Sequence, residues 1–232
     1  MEKINTPMAI IIAGAIIAGA LIVTGFVNSS GEQSTKTASD PKKVFTPVSE
    51  DDYLKGSRDA KVTLVEFSDL ECPFCKNFHI TLQSILDEYD AKEVAWVYRH
   101  APLAQLHSKA LYEANAAECA GELGGNNAFW AFTDRIFEIT PSNNGLDLAL
   151  IPGIAEAIGL NKEAFAECLE EGRHREKIDA HFQNAIATAQ ALGITRFGTP
   201  FSVLIDKKGN ITPIQGAQSR EAVKALIEEA LR

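Results

Sequence analysis

The pattern of hydrophobic and polar positions divides the chain into an apolar N-terminal segment, a polar stretch and a long region of mixed character. Residues 8–27 are almost entirely apolar, and no charged residue occurs between Lys3 and Glu32. A helix of about 20 residues measures about 30 Å, the thickness of the hydrocarbon core of a bilayer. The pattern predicts a short tail over residues 1–7, a transmembrane anchor over 8–27 and a flexible linker over 28–50, which is rich in Ser, Thr, Lys and Pro.

A cleaved signal peptide is the alternative for the apolar segment. Such peptides usually have an apolar region of about 7 to 15 residues that ends in a small-x-small cleavage site. The segment here is longer and no clear Ala-x-Ala site follows it, which favours an uncleaved anchor. Lysines lie on both sides of the segment, so positive charge does not settle its orientation. We expect a single-pass protein of the cell membrane with an extracytoplasmic domain, because an even cysteine count suits an oxidising compartment.

From about residue 51 onward the pattern alternates between strands and helices. Runs of apolar and β-branched residues predict strands at 62–67 and 94–98. Apolar residues at helical spacing predict an amphipathic helix between them, which ends near Asp90. A strand, helix, strand succession implies a parallel strand pair.

In the C-terminal half of the chain, the residue pattern predicts several helices followed by two strands and a last helix. Residues 105–192 show almost no strand signal and predict several successive helices separated by glycine and proline positions. Residues 201–205 and 211–214 predict a β-hairpin, and Ser219 is the expected N-cap of a last helix. The prediction is therefore an α/β domain over residues 51–232 with a helical insertion at about 105–192.

Composition and charge exclude several classes of function. Of the 232 residues, 46% are hydrophobic and 23% are charged, which is ordinary for a globular protein and argues against wholesale disorder. The formal charge is −9 and like charges form no long block, so a nucleic-acid-binding surface is not expected. The histidines lack metal-site spacing, and no phosphate-binding glycine loop occurs. We expect neither a metal nor another cofactor.

The candidate chemistry lies in the segment Cys72-Pro73-Phe74-Cys75. Cys72 follows a predicted strand and takes the N-cap position of the next helix, with Pro73 at the first helical position, where a missing N–H costs nothing. Unpaired N–H groups and the helix dipole are expected to lower the pKa of Cys72. A stabilised thiolate makes the disulfide a better oxidant. Cys72 is therefore the predicted nucleophile, and Cys75, one turn later, is predicted to resolve the mixed disulfide.

The cysteines also allow other interpretations. Half of a zinc site is one, although Cys119 and Cys168 are far apart and do not form a second Cys-x-x-Cys pair. An inert bridge between Cys72 and Cys75 is another, but so small a loop stabilises little. Cys119 and Cys168 lie on predicted apolar helix faces, where they form either a structural disulfide or two buried thiols.

The sequence resembles the DsbA-like thiol:disulfide oxidoreductases of the thioredoxin superfamily in their membrane-anchored form. The resemblance rests on the stretch VTLVEFSDLECPFCKNF, on Gly-Thr-Pro-Phe at 198–201 and on the helical region between them. It implies a thioredoxin-like fold with an inserted helical subdomain, and a cis-proline at Pro200 that faces the cysteines. It also implies that the backbone of Thr199 pairs with an extended substrate segment. Taken without the resemblance, Pro200 is an ordinary trans residue that opens an edge strand.

An acidic residue precedes the cysteine pair on the same predicted strand. Glu66 shares a strand face with Val62 and Leu64, and a carboxyl group on a buried face is costly unless it is paired or has a task. The resemblance implies that Glu66 helps proton transfer to and from the buried cysteine. A glutamate at a wet strand edge is the alternative. Asp69 and Glu71 are expected to be solvated.

The resemblance implies an oxidoreductase without a cofactor that introduces disulfides into exported, unfolded proteins and is reoxidised by a membrane partner. Known strong oxidants of the family have Pro-His between the cysteines, whereas Phe74 here donates no hydrogen bond to a thiolate. The strength of the oxidant therefore stays open. A disulfide isomerase or reductase with the same site is one alternative, and a non-catalytic module that binds extended peptides is another.

Overall fold

The computed structural model describes residues 40–232. The predicted tail, the predicted anchor and most of the predicted linker lie outside the described residues. Among the helices of residues 40–232, none combines the length and the apolar character that a membrane span requires.

A five-stranded sheet forms the centre of the domain, in the order β1-β3-β2-β4-β5. The central strands β2 and β3 run parallel, and the other neighbouring pairs run antiparallel. The strands are β1 Tyr53–Lys55, β2 Val62–Ser68, β3 Val94–His100, β4 Phe201–Asp206 and β5 Ile211–Gln215. The predicted parallel pair and the predicted hairpin are thereby confirmed.

Helices connect the strands and cover both faces of the sheet. They are α1 Pro41–Val44, α2 Pro73–Leu86, α3 Ala110–Ile139, α4 Ile151–Ala157, α5 Lys162–Glu171, α6 Arg175–Ala191 and α7 Arg220–Ala230. Helices α3 to α6 lie between β3 and β4 in the chain, so the predicted helical insertion is confirmed. Helix α3 contains a kink at Gly125, whose φ of 71° and ψ of −166° suit a residue without a Cβ.

The two faces of the sheet bury separate cores. On one face Val62 and Leu64 of β2 pack with residues of α2, α3 and α7, among them Phe78 and Phe132. On the other face Val65 and Phe67 pack with residues of α6 and of the N-terminal segment. Because both faces are covered, β2 and β3 appear in the sequence as almost continuous apolar runs.

The predicted linker 28–50 is too long at its C-terminal end. The side chain of Phe45 is buried, and residues 41–44 form a one-turn helix against the domain. The buried guanidinium of Arg99 donates to the backbone carbonyls of Thr46 and Pro47, at 2.8 and 3.0 Å, and to both carboxylate oxygens of Asp52, at 2.8 Å each. A buried charge needs such partners, and residues 46–52 supply them.

A disulfide joins Cys119 of α3 to Cys168 of α5. Both residues are buried, and the bridge links two helices of the insertion across a sequence separation of 49 residues. Closing a loop of that length removes conformational freedom from the unfolded chain.

Replacing both Cys119 and Cys168 by Ala should lower the free energy of unfolding by about 4 kcal/mol, the loop-closure estimate for 49 residues. Urea unfolding followed by circular dichroism measures the loss. The matched control is the double variant Cys72→Ala/Cys75→Ala, which should lose far less. Equal unfolding midpoints for the wild type and the Cys119/Cys168 variant would contradict the stabilising role of the bridge.

Candidate functional site

Cys72 caps the N-terminus of α2, immediately after the turn that follows β2. Its backbone is extended, with φ −80° and ψ 122°, and Pro73 begins the helix. The side chain of Cys72 is 4% exposed and that of Cys75 is fully buried, and both are free thiols. Between them the ring of Phe74 is 63% exposed. The site therefore combines a barely accessible sulfur with an exposed apolar side chain.

The loop before β4 brings a second backbone segment to the sulfur of Cys72. Strand β4 pairs with β2 so that Phe201 lies opposite Phe67, which places residues 199 and 200 beside the end of β2. The Thr199–Pro200 peptide bond is cis, and the Cys72 thiol donates to the carbonyl oxygen of Thr199 at 3.4 Å. The structure thus brings Cys72, Cys75, Thr199 and Pro200 together from two distant parts of the chain.

The two thiols have pKa values shifted in opposite directions. A hydrogen bond from the Cys75 thiol is the largest cause that lowers the pKa of Cys72 to about 6, and the backbone N–H groups of Phe74 and Cys75 also lower it, while burial opposes the shift. Burial raises the pKa of Cys75 well above its ordinary value, and the adjacent Cys72 raises it further. The thiolate is the nucleophilic form of cysteine. Of the two thiols, Cys72 ionises more easily and Cys75 stays protonated beside it.

Glu66 lies in the middle of the sheet beneath the cysteines. Its side chain is fully buried, and Tyr98 on β3 and Ser202 on β4 are its register partners. The indole N–H of Trp96 donates to its Oε2 at 3.0 Å. Burial is the main cause that raises the pKa of Glu66 to about 8. The alternative of a wet strand edge is wrong, because β2 has a neighbour on each side.

Asp69 and Glu71 are buried, so the expectation that they are solvated is wrong. Asp69 accepts from the backbone N–H of Glu71 and of Leu103, at 2.9 and 2.8 Å, and its Oδ2 lies 2.8 Å from Nδ1 of His107. These donors replace the water that the carboxylate loses on burial. Sequence reasoning could not find these donors, because Leu103 and His107 follow β3 in the chain, 34 and 38 residues after Asp69.

Glu71 anchors a loop of the helical insertion beside Cys72. Its carboxylate accepts from the consecutive backbone N–H groups of residues 144, 145 and 146, at 2.6, 3.2 and 3.2 Å. The same loop has positive φ at Ser142, Asn143 and Asn144, of 64°, 54° and 66°, which is a costly conformation for residues other than glycine. The carboxylate therefore holds this loop against the segment that carries Cys72.

Other polar side chains of the described residues form separate groups. His79, one turn after Cys75, is buried and its Nε2 lies 2.7 Å from Asp134 on α3. Cys119, Cys168 and His174 place three potential metal-ligand atoms within 4.8 Å of one another. The two sulfurs are already bonded to each other and are therefore not thiolate ligands.

Residues 48–229 match the thioredoxin family model. The chain belongs to the thioredoxin family. This assignment agrees with the central sheet, with the cysteine pair at the start of α2 and with the proline loop opposite it.

Solved structures show that this member of the thioredoxin family has a DsbA-like fold. DsbA2 of Pseudomonas aeruginosa is 30% identical, with a TM-score of 0.61 over 79% of this chain and 95% of that one. Alpha-DsbA1 of Wolbachia pipientis is 22% identical, with a TM-score of 0.67 over 82% and 96% of the two chains. Oxidised BdbD of Bacillus subtilis is 22% identical, with a TM-score of 0.66 over 81% and 96%.

Curated relatives of this thioredoxin-family chain include much longer proteins. The Na⁺/H⁺ antiporter NhaA 1 of Salinispora arenicola is 34% identical over 136 residues, which are 58% of this chain and 20% of that protein. NhaA 3 of Salinispora tropica is 34% identical over 142 residues, 59% of this chain and 21% of that protein. The chain thus spans about a fifth of the length of these relatives, and transport is a property stated of them alone.

Replacing Cys75 by Ala should raise the pKa of Cys72 from about 6 towards the ordinary thiol value, because the variant removes the hydrogen bond that contributes most to the shift. At about pH 7 the ionised fraction of Cys72 should then fall from about nine tenths to a minority. The ultraviolet absorbance of the thiolate, followed against pH in the full-length reduced protein, measures this change.

The matched control is Cys75→Ser, whose hydroxyl still donates a hydrogen bond. It should keep the pKa of Cys72 clearly below that in Cys75→Ala. If both variants and the wild type titrate together, the backbone N–H groups alone stabilise the thiolate, and the assignment to Cys75 is wrong.

Proposed function

We propose that the protein is a thiol:disulfide oxidoreductase that introduces disulfides into exported proteins through Cys72 and Cys75. The observation that carries the proposal is the position of Cys72 at the N-cap of α2, with its sulfur 3.4 Å from the carbonyl oxygen of Thr199 in the cis-proline loop and with Cys75 buried one turn later. The DsbA-like fold and the 30% identity to Pseudomonas aeruginosa DsbA2 support it.

The separated pKa values define the order of events. A substrate thiolate attacks the sulfur of Cys72 in the Cys72–Cys75 disulfide, and Cys75 leaves as a thiolate that takes up a proton. A second substrate thiolate then attacks the substrate sulfur of the mixed disulfide. The substrate disulfide forms and Cys72 departs as a thiolate, which its low pKa makes a good leaving group.

Glu66 is the proposed proton donor for the departing Cys75. Its carboxyl pKa of about 8 keeps most of it protonated near neutral pH. The charge of the Cys72 thiolate also raises the pKa of Glu66, so the carboxyl group holds its proton more tightly once the pair is reduced. This arrangement is suited to exchanging a proton with a buried sulfur.

Substrates are proposed to bind as extended segments at the Thr199–Pro200 loop. Backbone pairing of that kind does not depend on side chains and suits unfolded proteins of many sequences. The exposed ring of Phe74 offers an apolar contact beside the reactive sulfur. The predicted anchor at 8–27 would keep the site at the membrane surface, which raises the effective concentration for a membrane partner that reoxidises Cys72 and Cys75.

The direction of transfer follows from the same thiolate. A low pKa at Cys72 stabilises the reduced form at every pH above about 6, and stabilising the reduced form makes the disulfide more oxidising. The low pKa of Cys72 therefore favours the oxidase over the reductase, which uses the site in the other direction, and over the isomerase, which works from the reduced cysteine pair.

The full-length protein in detergent, oxidised at Cys72 and Cys75, should convert a reduced unfolded protein with two cysteines to its disulfide form, as followed by mass spectrometry after alkylation. Cys72→Ser should abolish the transfer, and Cys75→Ser should accumulate a covalent adduct with the substrate at Cys72. A glutathione redox titration gives the direction, and a potential well above that of glutathione is expected. A reduction potential near that of thioredoxin would contradict the oxidase and favour a reductase. Full activity of the Cys72→Ser variant would contradict both and favour a non-catalytic module that binds peptides.

A further inference from the structure

A buried serine ends the strand that carries the buried carboxyl group, on the side of the cysteines. Ser68 follows Glu66 by two residues on β2, so both side chains project from the same face of the sheet. That face is covered by α2, which carries Cys75. Ser68 is the last residue of β2, nearer to the cysteines than Glu66, and its side chain is buried.

Four oxygens of this buried region have no hydrogen-bond partner among the described residues, namely Oγ of Ser68, Oε1 of Glu66, the hydroxyl of Tyr98 and Oγ of Ser202. Tyr98 and Ser202 are the register partners of Glu66, so the four groups share one face of the central strands. Buried polar atoms without partners are uncommon, and leaving them so costs free energy. Their concentration beneath the cysteine pair points to a hydroxyl group that changes its hydrogen-bond partner during the reaction.

The Ser68 hydroxyl acts on the groups at both ends of this region. Its proximity lowers the pKa of Glu66 and the pKa of Cys75, and it has the same effect on Tyr98. A serine hydroxyl donates one hydrogen bond and accepts others. Rotation of the hydroxyl therefore allows it to face either the carboxyl group or the sulfur.

We infer that the Ser68 hydroxyl relays a proton between the Cys75 sulfur and the Glu66 carboxyl group during disulfide exchange. The inference rests on the proposed function and adds a residue to its site. When Cys75 resolves a mixed disulfide on Cys72, its thiol proton passes to the Ser68 oxygen while the hydroxyl proton passes to Oε1 of Glu66. The Cys75 thiolate attacks the Cys72 sulfur, the bond between Cys72 and the external sulfur breaks, and that sulfur leaves as a thiolate. Substrate oxidation runs the same transfer in reverse.

Other titratable groups lie around the relay on the elements that pack against it. Helix α2 contributes Cys72 and Cys75, β3 contributes Tyr98 and His100, the loop after β2 contributes Asp69, and β4 presents the uncharged Ser202. Burial raises the pKa of Tyr98 well above its ordinary value, so the phenol stays protonated. The carboxylate of Asp69 is occupied by Glu71, Leu103 and His107. His100 is the register partner of Ser68 on the same face of the sheet, and its Nε2 lies 3.4 Å from Oε1 of Glu118.

The test distinguishes the reactions of the two sulfurs. An aromatic disulfide reagent, 5,5′-dithiobis(2-nitrobenzoate), is added to the full-length reduced protein. Attack by Cys72 releases one coloured thiolate, and resolution by Cys75 releases a second. Ser68→Ala should leave the first release unchanged and slow the second at least about tenfold. In the wild type the rate of the second release should level off at or somewhat below pH 8, because the mixed disulfide removes the Cys72 charge that raises the pKa of Glu66. In Ser68→Ala this inflection should disappear.

Ser202→Ala is the matched control. It removes an equally buried hydroxyl, likewise without a hydrogen-bond partner among the described residues, which lies opposite Glu66 on the neighbouring strand. Its second release should match that of the wild type. An unchanged second release and pH profile in Ser68→Ala would overturn the relay, as would an equal slowing in Ser202→Ala. The first release checks in the same sample that Ser68→Ala is folded. Since the reagent replaces the protein substrate, a wild type that fails to oxidise proteins would refute the proposed function and leave this test intact.

Discussion

The hydrogen bond from the Cys75 thiol to the Cys72 sulfur is the interaction on which the rest of the site depends. It is available only because Cys75 is buried so deeply that its own ionisation is unfavourable, and it lowers the pKa of Cys72 to about 6. A buried donor and an ionised acceptor, one helical turn apart, thus create an asymmetric pair from two identical side chains. The low dielectric constant that penalises one thiolate strengthens the hydrogen bond that stabilises the other.

The sheet beneath the cysteines applies the same physical rule to a carboxyl group. Glu66 has covered faces above and below and a strand on each side, and burial raises its pKa to about 8. A carboxyl group with that pKa can hold or release a proton near neutral pH, whereas an exposed glutamate is fully ionised at that pH. The domain therefore contains two groups, Cys72 and Glu66, whose ordinary pKa values of about 9 and 4.5 are brought close together by their surroundings.

The helical insertion is coupled to the cysteine segment through carboxylates and not only through apolar packing. Glu71 binds the backbone of residues 144–146, and Asp69 binds Leu103 and His107. The acids next to Cys72 would oppose its ionisation if they faced the sulfur without partners. Here their charge is directed to N–H donors of the insertion, so the same residues that position the loop are paired away from the thiolate.

Local pattern was sufficient for the strands β2 and β3, the hairpin of β4 and β5, and the start of α2 at Cys72, because apolar spacing and the proline after the cap are properties of neighbouring residues. The three-residue strand β1 and the one-turn helix α1 escaped prediction, since elements that short carry no period. The burial of Asp69 and Glu71 also escaped it, since their partners lie more than 30 residues away. Sequence alone therefore determined which two cysteines lie at the start of α2 and which strand carries the acid beneath them. Only the tertiary structure decided the ionisation of that acid, because the pKa of Glu66 is set by burial between distant segments, whereas the main donors that lower the pKa of Cys72 are its neighbours in the chain.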